Sequence, residues 1–265
     1  MLDLHCHILP GIDDGATDLD MALEMAQIAA DDGIHTIACT PHIYPGLYEN
    51  TRQSIRTAIS AFQGELDQRG IAIRLVEGAD VHLDVDLVTS IREGRVPTIA
   101  GSRYLLLEPP HHVAPPGFEN AVFQLVMAGY IPVITHPERL SWVEDNFDVF
   151  QRLVRGGVWM QITAGAVTGR FGKRPKYWAD RMLDEGMVHI LATDAHHPRR
   201  RPPLLAEGRD FAARRVGEEE ANHMVVTRPQ GIVDNVEPAA LPALHVTAQT
   251  PRNRLSSWRR LLGRA

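Results

Sequence analysis

One pattern recurs along this chain: a glycine, a short unbroken apolar run, then a polar residue able to bind metal. It runs through Gly33-IHTIACTPH, Gly70-IAIRLVEGAD, Gly129-YIPVITHPE, Gly157-VWMQITA and Gly186-MVHILATDAH. LDLHCH at 2–7 and SRYLLLEPP at 102–110 repeat it without the leading glycine. Short β-rich runs bounded by turn residues read as strands, and continuous rather than alternating hydrophobicity marks burial on both faces. Between them, residues 19–32, 51–68, 117–128, 145–155 and 175–185 place apolar groups at helical intervals, each with glycine close to its end. Strand and helix alternating roughly seven times predicts an α/β fold of the (β/α) barrel type. An open doubly wound sheet is the competing arrangement. The barrel is preferred because only a closed ring aims nearly every strand end at one spot.

After about residue 235 the pattern stops. EPAALPALHVTAQTPRNR is rich in proline, alanine and polar residues without a helical or strand period. Residues 1–235 therefore read as one domain and 236–265 as a linker or disordered tail. The last stretch, LSSWRRLLGRA, reads as a frayed terminus; a short amphipathic segment in weak contact with an anionic membrane or an acidic partner is the sharper alternative.

Composition narrows the function classes. The chain has 265 residues, 44% apolar and 23% charged, with a net charge of -6. It holds no apolar run of about 18 residues, so no membrane span is expected. The opening MLDLHCH lacks a signal-peptide pattern, and two cysteines do not make a disulfide framework, so a cytoplasmic location is expected. The acidic balance disfavours a nucleic-acid partner. The informative count is 13 histidines.

His5 and His7 lie two apart on the first strand, so both side chains share a face and can grip a divalent ion. Asp13 and Asp14 follow in the next loop, and His42 follows the second strand. Asp80, Glu108 and His136 end the third, fourth and fifth strands. Asp194 and His196, again two apart, end the last. Each has a bland account alone: Asp80 as a helix N-cap, Glu108 as a loop carboxylate, His136 as a turn residue. A spare polar group at nearly every strand end is far better explained by metal, since charges at an apolar strand mouth need partners. The set suits two or three closely spaced ions of the zinc, manganese or iron kind, a cluster that activates water against a phosphoryl centre. Arg139 and Arg201, in loops on the ligand-bearing side, suit bidentate recognition of phosphate. Arg199 and Arg200 read as solvated. Cys6 and Cys39 read as core thiols. No glycine-rich phosphate loop, nucleophile elbow or cysteine-phosphatase signature is present.

The run DLHCHILPGIDDG, followed in order by TPH, EGAD, LEPP, THPER and ATDAHHPRRRPP, resembles the PHP (polymerase and histidinol phosphatase) superfamily. Within it, the match looks like the bacterial manganese-dependent tyrosine-protein phosphatases of the CpsB/CapC/YwqE type, over about residues 1–235. The resemblance implies a distorted (β/α)7 barrel holding three divalent ions, manganese first, with iron or zinc as alternatives. By that likeness His5, His7, Asp80 and Asp194 hold one ion, Asp80, Glu108 and His136 a second, and Asp14, His42 and His196 a third. Arg139 and Arg201 fall where members bind phosphate. The implied activity is phosphoric monoester hydrolysis by metal-bridged hydroxide. The implied substrate is phosphotyrosine on the C-terminal cluster of a bacterial tyrosine autokinase controlling capsule or exopolysaccharide synthesis. Two departures stand out. Asp80 replaces the usual bridging glutamate, and HHVAPP at 111–116 looks particular to this chain; His111 and His112 read as solvated, with a place at the substrate entrance as the other reading.

The runner-up activities are a histidinol-phosphatase-like phosphomonoesterase and a non-catalytic phosphotyrosine-binding regulator. A binuclear amidohydrolase also opens with H-x-H but needs a lysine ending a strand, whereas Lys173 and Lys176 both lie in the loop GKRPK. The short, acidic chain disfavours a polymerase accessory nuclease.

Overall fold

A computed structural model of the chain describes residues 1–84 and 86–244. Its strands are β1 (Leu2–Cys6), β2 (Thr36–Cys39), β3 (His42–Ile43), β4 (Arg74–Glu77), β5 (Asp80–His82), β6 (Tyr104–Glu108), β7 (Ile131–Thr135), β8 (Trp159–Thr163) and β9 (Ile190–Ala192). Every strand pairing is parallel, in the orders β1-β2-β4 and β3-β5-β6-β7-β8-β9. β2 and β3 are two pieces of one strand position, and so are β4 and β5. Pro41, which has no N–H to donate, and Gly78, packed against the Thr40 side chain, stand at the two breaks. The pieces stay in step, because Cys39 pairs with Glu77 before the breaks and His42 with Asp80 after them. At the far edges, β1 meets the chain just beyond β9. Asp194 N–H donates to the His5 carbonyl (2.8 Å) and His7 N–H to that of Ala195 (2.9 Å).

The helices predicted between strands appear as α1 (Leu19–Asp31), α2 (Arg52–Arg69), α4 (Phe118–Met127), α5 (Phe147–Arg155) and α7 (Lys173–Asp184), with short α3 (Leu87–Arg92) and α6 (Ala164–Thr168). Gly70 takes the left-handed C-cap of α2, a conformation that favours a residue without Cβ. Three further helices, α8 (Ala206–Val216), α9 (Glu218–Asn222) and α10 (Arg228–Val233), follow the last strand. Among the described residues no helix is long and apolar enough to cross a membrane.

Two apolar clusters explain why the strands read as continuous runs. Leu105, Leu107, Ile134, Met160, Ile162 and Leu191 face the helices. Alternate residues, including Tyr104, Leu106, Val133, Trp159 and Ile190, meet on the other face with Leu2, Leu4, Ala38 and Val76. That inner cluster is a floor, and the polar strand ends stand above it. On β1 the alternation is broken by a bulge between Asp3 and Cys6, which changes the phase of the strand. Leu2 and Leu4 thereby join the inner cluster, while Cys6 sits outside with Ile37 and Cys39, and His5 and His7 turn inward.

Residues 236–244, the first part of the stretch read as a linker, lie against the opposite end of the fold. Tyr104 Oη donates to the Val236 carbonyl (2.8 Å), and Leu241 fills the space beside Gly231. The fully buried Arg228 pairs with Glu220 and donates to the carbonyls of Pro242 and Ala243. The LSSWRRLLGRA stretch lies outside the described residues.

Candidate metal centre

The strand ends bring their histidines and carboxylates into one bowl. His5 and His7 are buried, with Nε2 atoms 3.1 Å apart. Each ring is fixed from behind. His5 Nδ1 donates to Gln161 Oε1 (2.9 Å), and His7 Nδ1 to Asp13 Oδ2 (2.7 Å), so both Nε2 atoms are aimed inward. The Asp13 side chain also accepts from the backbone of Gly15 (2.9 Å) and His42 (3.2 Å), tying the loop to both histidines. Gly15 is required there, since a Cβ on it would lie 2.0 Å from the His7 carbonyl oxygen. On the third side, His196 Nδ1 donates to the Asp194 carbonyl (3.0 Å), turning its Nε2 toward Asp14 Oδ1 (3.4 Å). His42 Nε2 faces the same oxygen at 3.5 Å.

Asp80 lies at the middle. It is fully buried, its Oδ2 lying 3.4 Å from His5, 3.7 Å from His42 and 3.9 Å from His136, and neither carboxylate oxygen has a hydrogen-bond partner. A buried carboxylate in that state costs several kcal/mol unless a cation answers it. Among the described residues, five groups of three or more side chains have ligand atoms within 4.8 Å of one another: His7, Asp14, His42 and His196; His5, His7 and Asp80; His5, His136 and Asp194; His42, Asp80 and Glu108; Glu108, His111 and His136. All nine strand-end residues fall in this set, and Asp80 belongs to two groups despite its short side chain. The unpartnered oxygens and the mixed nitrogen and oxygen donors fit divalent metal.

Two donors come from strained backbone. His136 (φ 34°) and Asp194 (φ 50°) are left-handed without being glycine. Such a conformation costs on the order of 1–3 kcal/mol and is held by its surroundings.

Electrostatics follow from the crowding. Burial would depress His5, but Asp80 and Asp194 prevail and raise it to about 9. His42, facing Glu108, Asp80 and Asp14, likewise rises against its burial, to about 10. These protons occupy places where the carboxylates demand positive charge. Burial, with the charges of His196, His42 and His5, holds His7 well below its usual value. Burial opposes ionisation of Asp194, but His5, Arg201, His196 and Arg139 outweigh it and keep the group well below the usual carboxylate range.

Arg139 and Arg201 both pair with Asp194 Oδ2, whose other oxygen faces His5 (3.4 Å) and His7 (3.6 Å). Both guanidiniums also lie over the Phe171 ring, at 5.2 and 5.8 Å from its centroid. Arg199 and Arg200 are exposed. Cys6 and Cys39 are buried in the apolar core, and burial pushes both thiols up, away from nucleophilic use.

Several neighbours carried no role in the sequence reading. Gln161 and Phe171 had no signal at all. His82 did: the D-x-H spacing of Asp80 and His82 repeats that of Asp194 and His196, and its ring stacks on Tyr44 at 4.1 Å. The solvated reading of His111 is corrected, because its Nε2 lies 3.2 Å from Glu108 Oε1 with 28% of the side chain exposed. His112 is exposed. The difference arises because the Pro109–Pro110 turn folds back over the strand ends, held by Trp142 Nε1 donating to the Pro110 carbonyl (2.8 Å).

Residues 1–234 match the family described as "Capsular polysaccharide synthesis, CpsB/CapC". The tyrosine-protein phosphatase YwqE of Bacillus subtilis is 34% identical over 201 residues, covering 76% of this chain and 79% of that protein. The tyrosine-protein phosphatase CpsB of Streptococcus agalactiae is 26% identical over 244 residues, covering 89% and 99%. Among solved structures, one from a study of YwqE of Bacillus subtilis and CpsB of Streptococcus pneumoniae, described as unique metal-dependent tyrosine phosphatases, superposes with TM-score 0.85. The identity is 31%, covering 89% of this chain and 96% of that one. Histidinol phosphate phosphatase of Lactococcus lactis, at 14% identity and TM-score 0.52 over 83% of this chain and 93% of that one, shares the fold alone.

Proposed function

The chain belongs to the CpsB/CapC family, and from that premise we propose that it is a metal-dependent protein-tyrosine phosphatase. The observation that carries this reading is Asp80: a fully buried carboxylate whose two oxygens lack a hydrogen-bond partner, ringed by His5, His42 and His136. Its substrate is phosphotyrosine on a bacterial tyrosine autokinase that controls capsular or exopolysaccharide synthesis, and it works in the cytoplasm. The seven strand positions act as one closed, distorted (β/α)7 barrel. The hydrogen bonds between β1 and the chain beyond β9 support that closure, which gathers the donors from residues 5 to 196.

Three divalent ions, manganese foremost, fit the donor count. His5, His7, Asp80 and Asp194 would hold the first, Asp80, Glu108 and His136 the second, and Asp14, His42 and His196 the third. Such ions supply Lewis-acid polarisation and a nucleophile at neutral pH.

The chain's own residues do the rest. Arg139 and Arg201 offer guanidinium N–H groups to the phosphoryl oxygens, where charge builds during transfer. Asp194 Oδ2 and the Phe171 face hold both arginines in register with the donors beneath. Tyr44 (38% exposed) and Leu47 (62% exposed) stand on the turn beyond His42, an apolar rim suited to an aromatic leaving group. Gln161 and Asp13 keep His5 and His7 in the tautomers that face the bowl.

The test is turnover of p-nitrophenyl phosphate and phosphotyrosine peptides with manganese. Vanadate-sensitive hydrolysis, lost on chelation and in His136→Ala, is expected. Full activity in His136→Ala, or none in the metal-loaded protein, overturns the reading.

A further inference from the structure

His111 lies outside the strand-end pattern, in the loop after β6, and nothing in the phosphatase reading uses it. We propose that His111 is an additional protein ligand to the ion held by Glu108 and His136. The inference rests on the metal-dependent reading above and deepens it.

The geometry carries the argument. The two oxygens of Glu108 face different partners. Oε2 faces His42 Nδ1 (3.3 Å) and His82 Nδ1 (4.0 Å), whereas Oε1 faces His111 Nε2 (3.2 Å) and His136 Nε2 (3.7 Å). The ligand atoms of Glu108, His111 and His136 all lie within 4.8 Å of one another, and the two rings stand 4.8 Å apart. An imidazole that merely oriented Glu108 would approach from the side away from the other donor. His111 instead brings its distal nitrogen to the same oxygen that His136 faces.

The loop presents this ring on fixed backbone. Ser141 N–H donates to the His111 carbonyl (2.9 Å), Ser141 Oγ to that of His112 (3.1 Å), and Trp142 Nε1 to that of Pro110 (2.8 Å). Two prolines precede it and limit the chain's freedom. Little ordering is therefore left for the moment of binding. His112, next in sequence, is exposed, with its ring centroid 6.3 Å from that of His111, and serves as an internal control.

The test measures metal rather than turnover. Full-length wild-type protein, His111→Ala, His111→Gln and His112→Ala are stripped with chelator and compared by thermal unfolding. They are then titrated with manganese against a chromophoric chelator, with bound ions counted by elemental analysis. Wild type and His112→Ala should behave alike. His111→Ala should hold its most weakly bound ion roughly tenfold or more less tightly, or lose it. His111→Gln keeps a hydrogen bond to Glu108 without an imidazole donor, so it should fail like alanine if the ring ligates. Rescue by glutamine, or unchanged stoichiometry and affinity in His111→Ala, overturns the assignment and leaves the phosphatase reading standing. A wild-type protein that takes up no manganese overturns both.

Discussion

Nε2 of His5 and Nε2 of His7 face each other across 3.1 Å, each ring held from behind by a different partner. Two lone pairs at that distance repel, so a cation must sit between or beside them: one proton, or a divalent ion with the neighbouring carboxylates. Chelation should therefore cost stability as well as activity. Saturating manganese is expected to raise the melting temperature of stripped protein by roughly 5–10 °C. Asp80→Asn, which removes the central charge, should abolish most of that rise. Differential scanning calorimetry with and without metal checks both; identical melting temperatures would refute the claim.

Arg139 and Arg201 share one acceptor and one aromatic face, so they act as a pair. Arg139→Met should lower kcat/KM on p-nitrophenyl phosphate by about 10²-fold. Arg139→Lys should recover little, because an ammonium lacks the planar fork. The double variant with Arg201→Met should lose less than the product of the single losses. Steady-state kinetics of wild type, Arg139→Met, Arg201→Met, Arg139→Lys and the double variant read this directly, and strict additivity would contradict a shared unit.

At Gly15 the chain passes too close to His7 for any side chain. Gly15→Ala should destabilise by about 3 kcal/mol. Because the loop also carries Asp13 and Asp14, metal capacity should fall with it. Urea unfolding and elemental analysis give the two readouts, and a stable variant with full metal content would rule out the close approach.

His189 supplies a stability switch away from the centre. It is buried against Trp159, its Nδ1 accepts from Met160 N–H (3.1 Å), and burial together with the Arg228 charge lowers it to about 3. The folded state therefore binds fewer protons than the unfolded one between about pH 3 and 6.5. Its contribution is complete above 6.5 and is lost progressively as pH falls toward 3. From pH 6.5 to 5 this one group should remove about 2 kcal/mol. His189→Asn should flatten the pH dependence of urea unfolding by that amount, and an unchanged slope would discount the buried neutral ring.

The Arg228–Glu220 pair bears on the 236–244 stretch that reads as a linker in the sequence. Low periodicity there reflects a segment held by backbone carbonyls and one leucine rather than by an amphipathic face of its own. Pattern reading sees side-chain periods, and this segment's partners lie far away in sequence.

The order of strands and helices was legible because burial on both faces leaves long apolar runs, and a glycine ends many helices. The nine side chains that gather in the bowl were legible because each lies at the end of such a run or in the loop just beyond it. The two-residue spacing of His5 and His7 puts them on one face, but it does not say which. The bulge between Asp3 and Cys6 decides that, since one extra residue exchanges inside for outside along the rest of the strand. The same limit hid Gln161, Phe171 and His111. Gln161 and Phe171 make their contacts with residues on other elements, and His111 depends on a loop pinned to residues 141 and 142. Local sequence fixes which residues share a face, because that depends on the period of the backbone. Which residues meet across the bowl depends on contacts between strands far apart in sequence, and only the folded chain supplies them.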